Sequence, residues 1–153
     1  MNKISIEKVN VKYANENISI SDLFIDGYSL QEILKSTFKK EFSKGRFKEF
    51  FLPIIGMNFL DKIDFGHNIF SRLVPNTNET LITPLYGCHD SCCIYIFLKI
   101  SNNNNTIIWE NIGRNSNFIF DKEVTKNDID WLTNFDKLFF DVKNYKTVIN
   151  KLK

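Results

Sequence analysis

The sequence predicts an α+β fold made mainly of antiparallel sheet with helices packed on it. Three observations favour this fold class: period-2 apolar alternation near the start, an asparagine turn between two β-branched runs in the middle, and helical spacing in two other segments. The 153 residues match the usual size of one domain, so we expect residues 1–153 to form a single domain.

The first 25 residues predict a β-hairpin. Apolar residues alternate with polar ones over residues 4–6 and again over 9–13, but the phase changes between the two stretches. This pattern predicts one strand with a bulge near residues 7–8. A turn-rich segment, residues 15–17, separates it from a second strand over residues 18–25, and the two strands are expected to pair.

A helix is predicted after the turn signal Asp26-Gly27. Ser29 and Glu32 have the spacing of a capping box. In this motif the serine side chain accepts from the backbone amide of the glutamate, and the glutamate side chain accepts from the backbone amide of the serine. The helix is expected over residues 29–42. Its apolar residues share one helical face and should be buried: Leu30, Ile33, Leu34, Phe38 and Phe42.

Structure is less clearly specified from residue 46 to residue 79. Residues 46–52 predict a further helical piece, which should end before Pro53 because a proline disfavours the helical conformation of the preceding residue. Residues 57–79 have little periodicity and predict mostly loop.

The middle of the chain gives the clearest strand signals. Residues 80–86, 92–100 and 106–112 are rich in β-branched and apolar residues, and four asparagines at 102–105 separate the last two runs. We therefore expect the second and third runs to form an antiparallel hairpin in the main sheet. Residues 118–120 predict a further short strand.

The C-terminal part predicts helix. Thr125 with Asp128 resembles one helix cap, and Asp141 is placed to cap a last helix. The apolar residues of that last helix follow at helical spacing: Tyr145, Val148, Ile149 and Leu152.

Charge is nearly balanced overall but is unevenly distributed. With 20 basic and 18 acidic residues the net charge is +2, which argues against a general nucleic-acid-binding protein. Residues 35–48 are rich in bases, whereas six acids face three lysines over residues 121–141. Solvated helix faces are the simplest interpretation of both stretches, and an interaction surface is the alternative.

Residues 88–93 form a cluster of chemically reactive side chains. Cys88, His89, Cys92 and Cys93 include three thiols and an imidazole, which are ligands that zinc accepts. Adjacent residues in a strand point to opposite faces, so Cys92 and Cys93 could not readily reach one ion. We expect small buried hydrophobes here, with no metal, cofactor, disulfide or catalytic group; a zinc site and a thiol enzyme are the alternatives.

Several motifs resemble those of a widespread family of small bacterial proteins whose function is uncharacterised. Four segments carry the resemblance: Ile25-Asp26-Gly27 with Leu30, Cys88 with Cys93, Ile107-Ile108-Trp109, and Leu138-Phe139-Phe140-Asp141 with Tyr145. The chain departs from the family pattern at Tyr86 and Cys92, where the family has Cys and Gly, and at Ile112, where it has Phe. The resemblance implies an α+β fold but no catalytic residues.

These features predict a non-enzymatic binding protein, specifically an immunity protein or antitoxin that neutralises a bacterial toxin domain. The size, the lack of a catalytic motif and the segregated charge favour this interpretation. The predicted contact residues lie in the acidic stretch: Asp121, Glu123, Asp128, Asp130, Trp131, Phe135 and Asp136. Trp131 is alternatively an ordinary core residue.

Location and the main competing function follow from the same features. An odd, crowded set of cysteines suits a reducing compartment, and residues 1–11 lack the apolar run of a signal peptide, so the cytoplasm is expected. We expect no membrane or nucleic-acid partner. The alternative function is a metal- or ligand-binding regulatory module that uses Cys88, His89, Cys92 and Cys93.

Overall fold

The computed structural model describes residues 1–13, 16–37, 52–53, 73–87, 95–115 and 129–151. Within these ranges the protein is mostly antiparallel sheet with two helices, which confirms the predicted predominance of antiparallel strands. The strands form a three-stranded sheet near the N-terminus and a larger, six-stranded sheet.

The predicted N-terminal hairpin is confirmed. Strand β1 (Ile4–Tyr13) pairs with strand β2 (Glu16–Ile25) in one uninterrupted antiparallel register. The bulge predicted at residues 7–8 is therefore wrong. Because successive strand residues point to opposite faces, Ile6 and Val9 lie on opposite faces of the unbulged ribbon. The change of phase in the sequence thus marks a change of the apolar face.

A tight turn follows β2 and leads into the first helix. Asp26 and Gly27 both have positive φ, 52° and 87°, as a two-residue hairpin turn requires when Ile25 pairs with Tyr28. Strand β3 (Tyr28–Ser29) is therefore antiparallel to the end of β2.

Helix α1 (Leu30–Thr37) begins where the capping box predicted. The Ser29 hydroxyl accepts a hydrogen bond from the Glu32 amide at 3.4 Å, which supplies one half of the box. Leu30 and Leu34 are buried, as expected, and Ile33 is partly buried against the core. Residues 38–42 of the predicted helix lie outside the described residues.

The larger sheet contains six strands in the described part of the chain. They are β4 (Leu52–Pro53), β5 (Thr80–Gly87), β6 (Tyr95–Asn103), β7 (Thr106–Asn115), β8 (Asp130–Trp131) and β9 (Leu138–Asp141). Strands β4 to β7 are neighbours in chain order, and both β8 and β9 pair with β7. Strands β6 and β7 form the antiparallel hairpin that the asparagine turn predicted. Asn104 lies in this turn with a φ of 56°.

Helix predictions are wrong at Leu52 and at residues 130–131 and 138–140, which lie in strands, whereas residues 46–51 lie outside the described residues. Leu52 lies in a strand because it and Pro53 pair with the end of β5; a proline is tolerated there because β4 is the outermost strand of the described sheet. The C-terminal part contains β8 and β9 before its helix. Strand β9 pairs with β7 over Thr106–Trp109, and this sheet pairing overrides the helix expected there. The predicted strand at 118–120 and the Thr125–Asp128 cap lie outside the described residues.

The last helix, α2 (Val142–Asn150), begins as predicted. The Asp141 carboxylate accepts a hydrogen bond from the Asn144 amide at 3.0 Å and so caps the first turn. Tyr145 and Ile149 are buried, and the Trp109 indole N–H donates to the Tyr145 hydroxyl at 3.2 Å. This bond fixes α2 against β7 within the core.

Candidate partner-binding surface

Four of the seven predicted contact residues lie in one described segment at the margin of the larger sheet. We call residues 129–137 the edge segment. It contains Asp130, Trp131, Phe135 and Asp136. The other predicted contact residues, Asp121, Glu123 and Asp128, lie outside the described residues.

The edge segment is held to β7 by backbone pairing and by further hydrogen bonds. In β8, Trp131 pairs with Gly113 and Asp130 pairs with Arg114. The Leu132 amide then donates to the Ile112 carbonyl at 2.9 Å, and the Asn111 side chain donates to the Leu132 carbonyl at 3.2 Å. The segment therefore has a defined backbone position beside the sheet.

Gly113 allows the edge segment to approach β7 closely. A Cβ atom at this position would lie 2.5 Å from the Cγ2 of Ile129 and 2.8 Å from the carbonyl oxygen of Asp130. It would also lie 3.0 Å from Cε3 of Trp131. Real Cβ atoms do not approach other atoms so closely, so only glycine fits without moving the backbone of β8.

The two aromatic residues of the edge segment are half-buried. Trp131 and Phe135 both pack against the buried core, and part of each side chain remains accessible. Trp131 lies in a row across the sheet with Gly113 and Phe97, of which Phe97 is buried. Each aromatic residue thus has a packed side and an accessible side, and the contact role of Trp131 stays a prediction.

The exposed charge of the edge segment comes mainly from Asp130 and Asp136. Both carboxylates are exposed. The positive charge of Lys137 is already paired with another acid, because its Nζ forms an ion pair with Glu110 Oε2 at 2.7 Å. Ser101 also donates to Glu110 at 2.7 Å. Partial burial alone would raise the pKa of Glu110, but the hydrogen bonds from Lys137 and Ser101 outweigh it and lower that pKa.

Sequence reasoning missed a buried polar cluster, which we call the Asp22 junction. Asp22 is only 1% exposed and accepts hydrogen bonds from the Tyr86 hydroxyl at 2.6 Å and the Ser29 hydroxyl at 2.9 Å. The backbone amides of Leu23 and Gln31 donate to the same carboxylate. The junction therefore connects β2, β3, the start of α1 and β5. No sequence signal pointed to it because Asp22 and Tyr86 are 64 residues apart.

The Asp22 junction is arranged as a structural joint and not as a reactive site. Burial raises the pKa of Asp22, against the lowering effect of its hydrogen bonds. Burial, together with the neighbouring Asp22 charge, also raises the pKa of Tyr86 well above its usual range. Both groups are shielded from solvent, so a substrate in solution would not reach them in this conformation.

The cysteine cluster lies outside the described residues, so the structure gives no geometry for Cys88, His89, Cys92 and Cys93. Among the residues that are described, no group of three or more His, Cys, Asp and Glu side chains is placed to hold a metal ion. In the same ranges, no helix has the length and apolarity needed to cross a membrane.

Comparison with known proteins gives no relative from which to transfer a function. No protein-family model, no curated protein and no solved structure matches the chain. The resemblance to a family of small bacterial proteins stays a prediction.

Proposed function

We propose that this chain is a non-enzymatic binding protein that neutralises a bacterial toxin domain, with a nuclease as the preferred partner class. The edge segment is its contact surface, and the cytoplasm is its site of action. One observation carries the proposal: two exposed carboxylates, Asp130 and Asp136, flank the half-buried aromatic residues Trp131 and Phe135 on a backbone bonded to β7.

Charge complementarity supports a nuclease as the partner class. A nuclease must hold a polyanion, so the mouth of its active site is electropositive. Exposed carboxylates can occupy such a mouth in place of phosphates and can increase the rate of association. Asp130 and Asp136 are suited to this role because neither is buried and the neighbouring Lys137 already pairs with Glu110.

The aromatic residues would supply the part of the binding free energy that charge alone does not. Binding hot spots are enriched in Trp and Tyr and lie in well-packed, desolvated parts of an interface. Trp131 packs on its core side, and β8 lies close to β7 at Gly113. The orientation of its accessible side is therefore fixed before a partner binds. An ordered side chain loses less conformational entropy on binding than a mobile one.

The experiment that tests the proposal measures inhibition of purified nuclease toxin domains. The wild-type chain should inhibit at least one domain at a stoichiometric ratio. The double variant Asp130→Lys/Asp136→Lys should inhibit it more weakly, because like charges would then face the active site. The matched control is Glu7→Lys/Glu32→Lys, which changes net charge equally at two exposed positions outside the edge segment.

Equal loss of inhibition in both double variants would show that net charge matters and the edge segment does not. Unchanged inhibition in both would place the contact surface elsewhere. The competing proposal, a module that binds metal through the cysteine cluster, makes a separate prediction. Elemental analysis that finds one zinc per chain would favour that module.

A further inference from the structure

The N-terminus is bonded to the strand that directly follows the edge segment. The Asn2 backbone amide donates to the Phe139 carbonyl at 2.8 Å, and the Phe139 amide donates to the Asn2 side-chain oxygen at 2.9 Å. The side-chain carbonyl of Asn2 therefore takes the place of a strand carbonyl on the outer side of β9. Phe139 lies two residues beyond Lys137, where the edge segment ends.

The opposite end of the same Asn2 amide is held by the turn after β2. Asn2 Nδ2 donates to Asp26 Oδ2 at 2.8 Å, and the Lys3 amide donates to Asp26 Oδ1 at 2.7 Å. The Asp26 amide returns a bond to the Lys3 carbonyl at 2.8 Å. We call this set of hydrogen bonds the Asn2 clamp.

The clamp pairs an amide at position 2 with a carboxylate at position 26. Asn2 must accept on one side, from Phe139, and donate on the other, to Asp26. An amide side chain offers both, with its acceptor and its donor on opposite sides of one planar group. Asp26 must accept from two donors at once, which an ionised carboxylate does with its two oxygens.

We propose that Asn2 and Asp26 are positioning residues for the edge segment, an inference that rests on the function proposed above. Through Phe139 they help the pairing of β9 with β7 to hold the C-terminal end of the segment, while the pairing of β8 with β7 holds its N-terminal end. With both ends held, Asp136 and Phe135 keep one arrangement relative to Asp130 and Trp131. Such pre-organisation lowers the entropic cost of binding.

Exchanging the two side chains tests the clamp. Asn2→Asp alone places two carboxylates against each other, and Asp26→Asn alone places two NH2 groups against each other. The double variant Asn2→Asp/Asp26→Asn reverses donor and acceptor in the bond between the two side chains and keeps an acceptor for the Phe139 and Lys3 amides. It also suits the backbone, because asparagine tolerates the positive φ of 52° at position 26.

Two measurements under native conditions report the result without any partner. Hydrogen exchange by NMR follows the Phe139 amide, with the Leu98 amide in the middle of β6 as the internal control. Acrylamide quenching of tryptophan fluorescence follows the half-buried Trp131, since Trp109 is fully buried and serves as the reference. A purely global loss of stability would not selectively affect Phe139 and Trp131.

In each single variant, exchange at Phe139 should rise roughly five- to tenfold, the scale of one or two net hydrogen bonds, while exchange at Leu98 stays unchanged. Quenching of Trp131 should rise as well. The double variant should return both values to those of the wild type. If the single variants do not fold, recovery of a folded spectrum in the double variant supports the clamp, and its absence overturns it.

Two results would overturn the positioning role. One is faster exchange at Phe139 with unchanged quenching of Trp131, which would show that the clamp does not reach the edge segment. The other is a double variant that behaves like the single ones. Neither result affects the proposed function, because that is tested separately by reversing Asp130 and Asp136.

Discussion

The Asp22 junction and the edge segment use the same chemical group in opposite ways. Asp22 is 1% exposed and is surrounded by four hydrogen-bond donors from four elements of the fold. Asp130 and Asp136 are exposed and lie at the margin of the sheet. A buried carboxylate is costly unless its neighbours supply donors, whereas water already satisfies an exposed one. The first carboxylate can therefore be committed to stability, and the other two remain available for a partner.

The largest effect is expected at the buried carboxylate. Asp22→Ala would leave the hydroxyls of Tyr86 and Ser29 and two backbone amides without their acceptor in a buried site. The free energy of unfolding should fall by about 3 kcal/mol, the usual scale for breaking a buried hydrogen-bonded network. Urea denaturation measures this loss.

The matched control for Asp22→Ala is Asp136→Ala, which removes the same group from the edge segment. Its effect should stay within about 0.5 kcal/mol, as for most surface substitutions. Equal losses of stability in the two variants would contradict the contrast between the two regions.

A smaller effect is expected where the edge segment meets β7. Gly113→Ala would place a methyl group 2.8 Å from the Asp130 carbonyl oxygen, so β8 has to move. Overpacking of this kind costs about 1–3 kcal/mol, and displacement of β8 should also increase acrylamide quenching of Trp131. Gly27→Ala is the control: it is strained by its φ of 87° but has open space, so Trp131 quenching should not change.

Local patterns in the sequence predicted the hairpins and caps, because each depends on neighbouring residues. In the Ser29 cap and the Asp141 cap, a side chain bonds a backbone amide three residues away. The Asp26-Gly27 turn depends on two residues that tolerate positive φ. The asparagine turn between β6 and β7 belongs to the same class.

Features that depend on distant partners could not be predicted in this way. The strand at Leu52 exists because Gly87 is its partner, and β9 exists because β7 offers an open edge. The bulges occur between Pro84 and Tyr86 and between Lys99 and Ile100, where strand registers shift, and not at residues 7–8. Asp22 resembled any exposed acid in sequence until the fold placed Tyr86 beside it.

The pH dependence of stability should have opposite signs for the buried Asp22 and for the partly buried, ion-paired Glu110. Because its pKa is raised in the folded state, Asp22 contributes to the free energy of unfolding at low pH. This contribution is fully present below the ordinary pKa of an aspartate, about 4, and is lost as pH rises through the raised pKa. Because its pKa is lowered in the folded state, Glu110 contributes to the free energy of unfolding at higher pH. This contribution is present above the ordinary pKa of a glutamate and is lost as pH falls through the lowered pKa.

The measurement is the free energy of unfolding as a function of pH from 3 to 8 for wild type, Asp22→Asn and Glu110→Gln. The difference between wild type and Asp22→Asn should shrink as pH rises. The difference between wild type and Glu110→Gln should grow over the same range. Two differences that change in the same direction would show that the two carboxylates do not have the contrasting environments described above.

The rate of association with an inhibited nuclease toxin domain tests the central claim most directly. Asp130→Lys/Asp136→Lys should slow association relative to wild type in low salt, and the gap should narrow as ionic strength rises, because salt screens charges at an exposed surface. Adding Asp128→Lys should widen the low-salt gap, because Asp128 belongs to the same acidic stretch, residues 121–141. Glu7→Lys/Glu32→Lys should have a smaller effect at every salt concentration. If the edge-segment variant associates at the wild-type rate in low salt, the edge segment is not the contact surface.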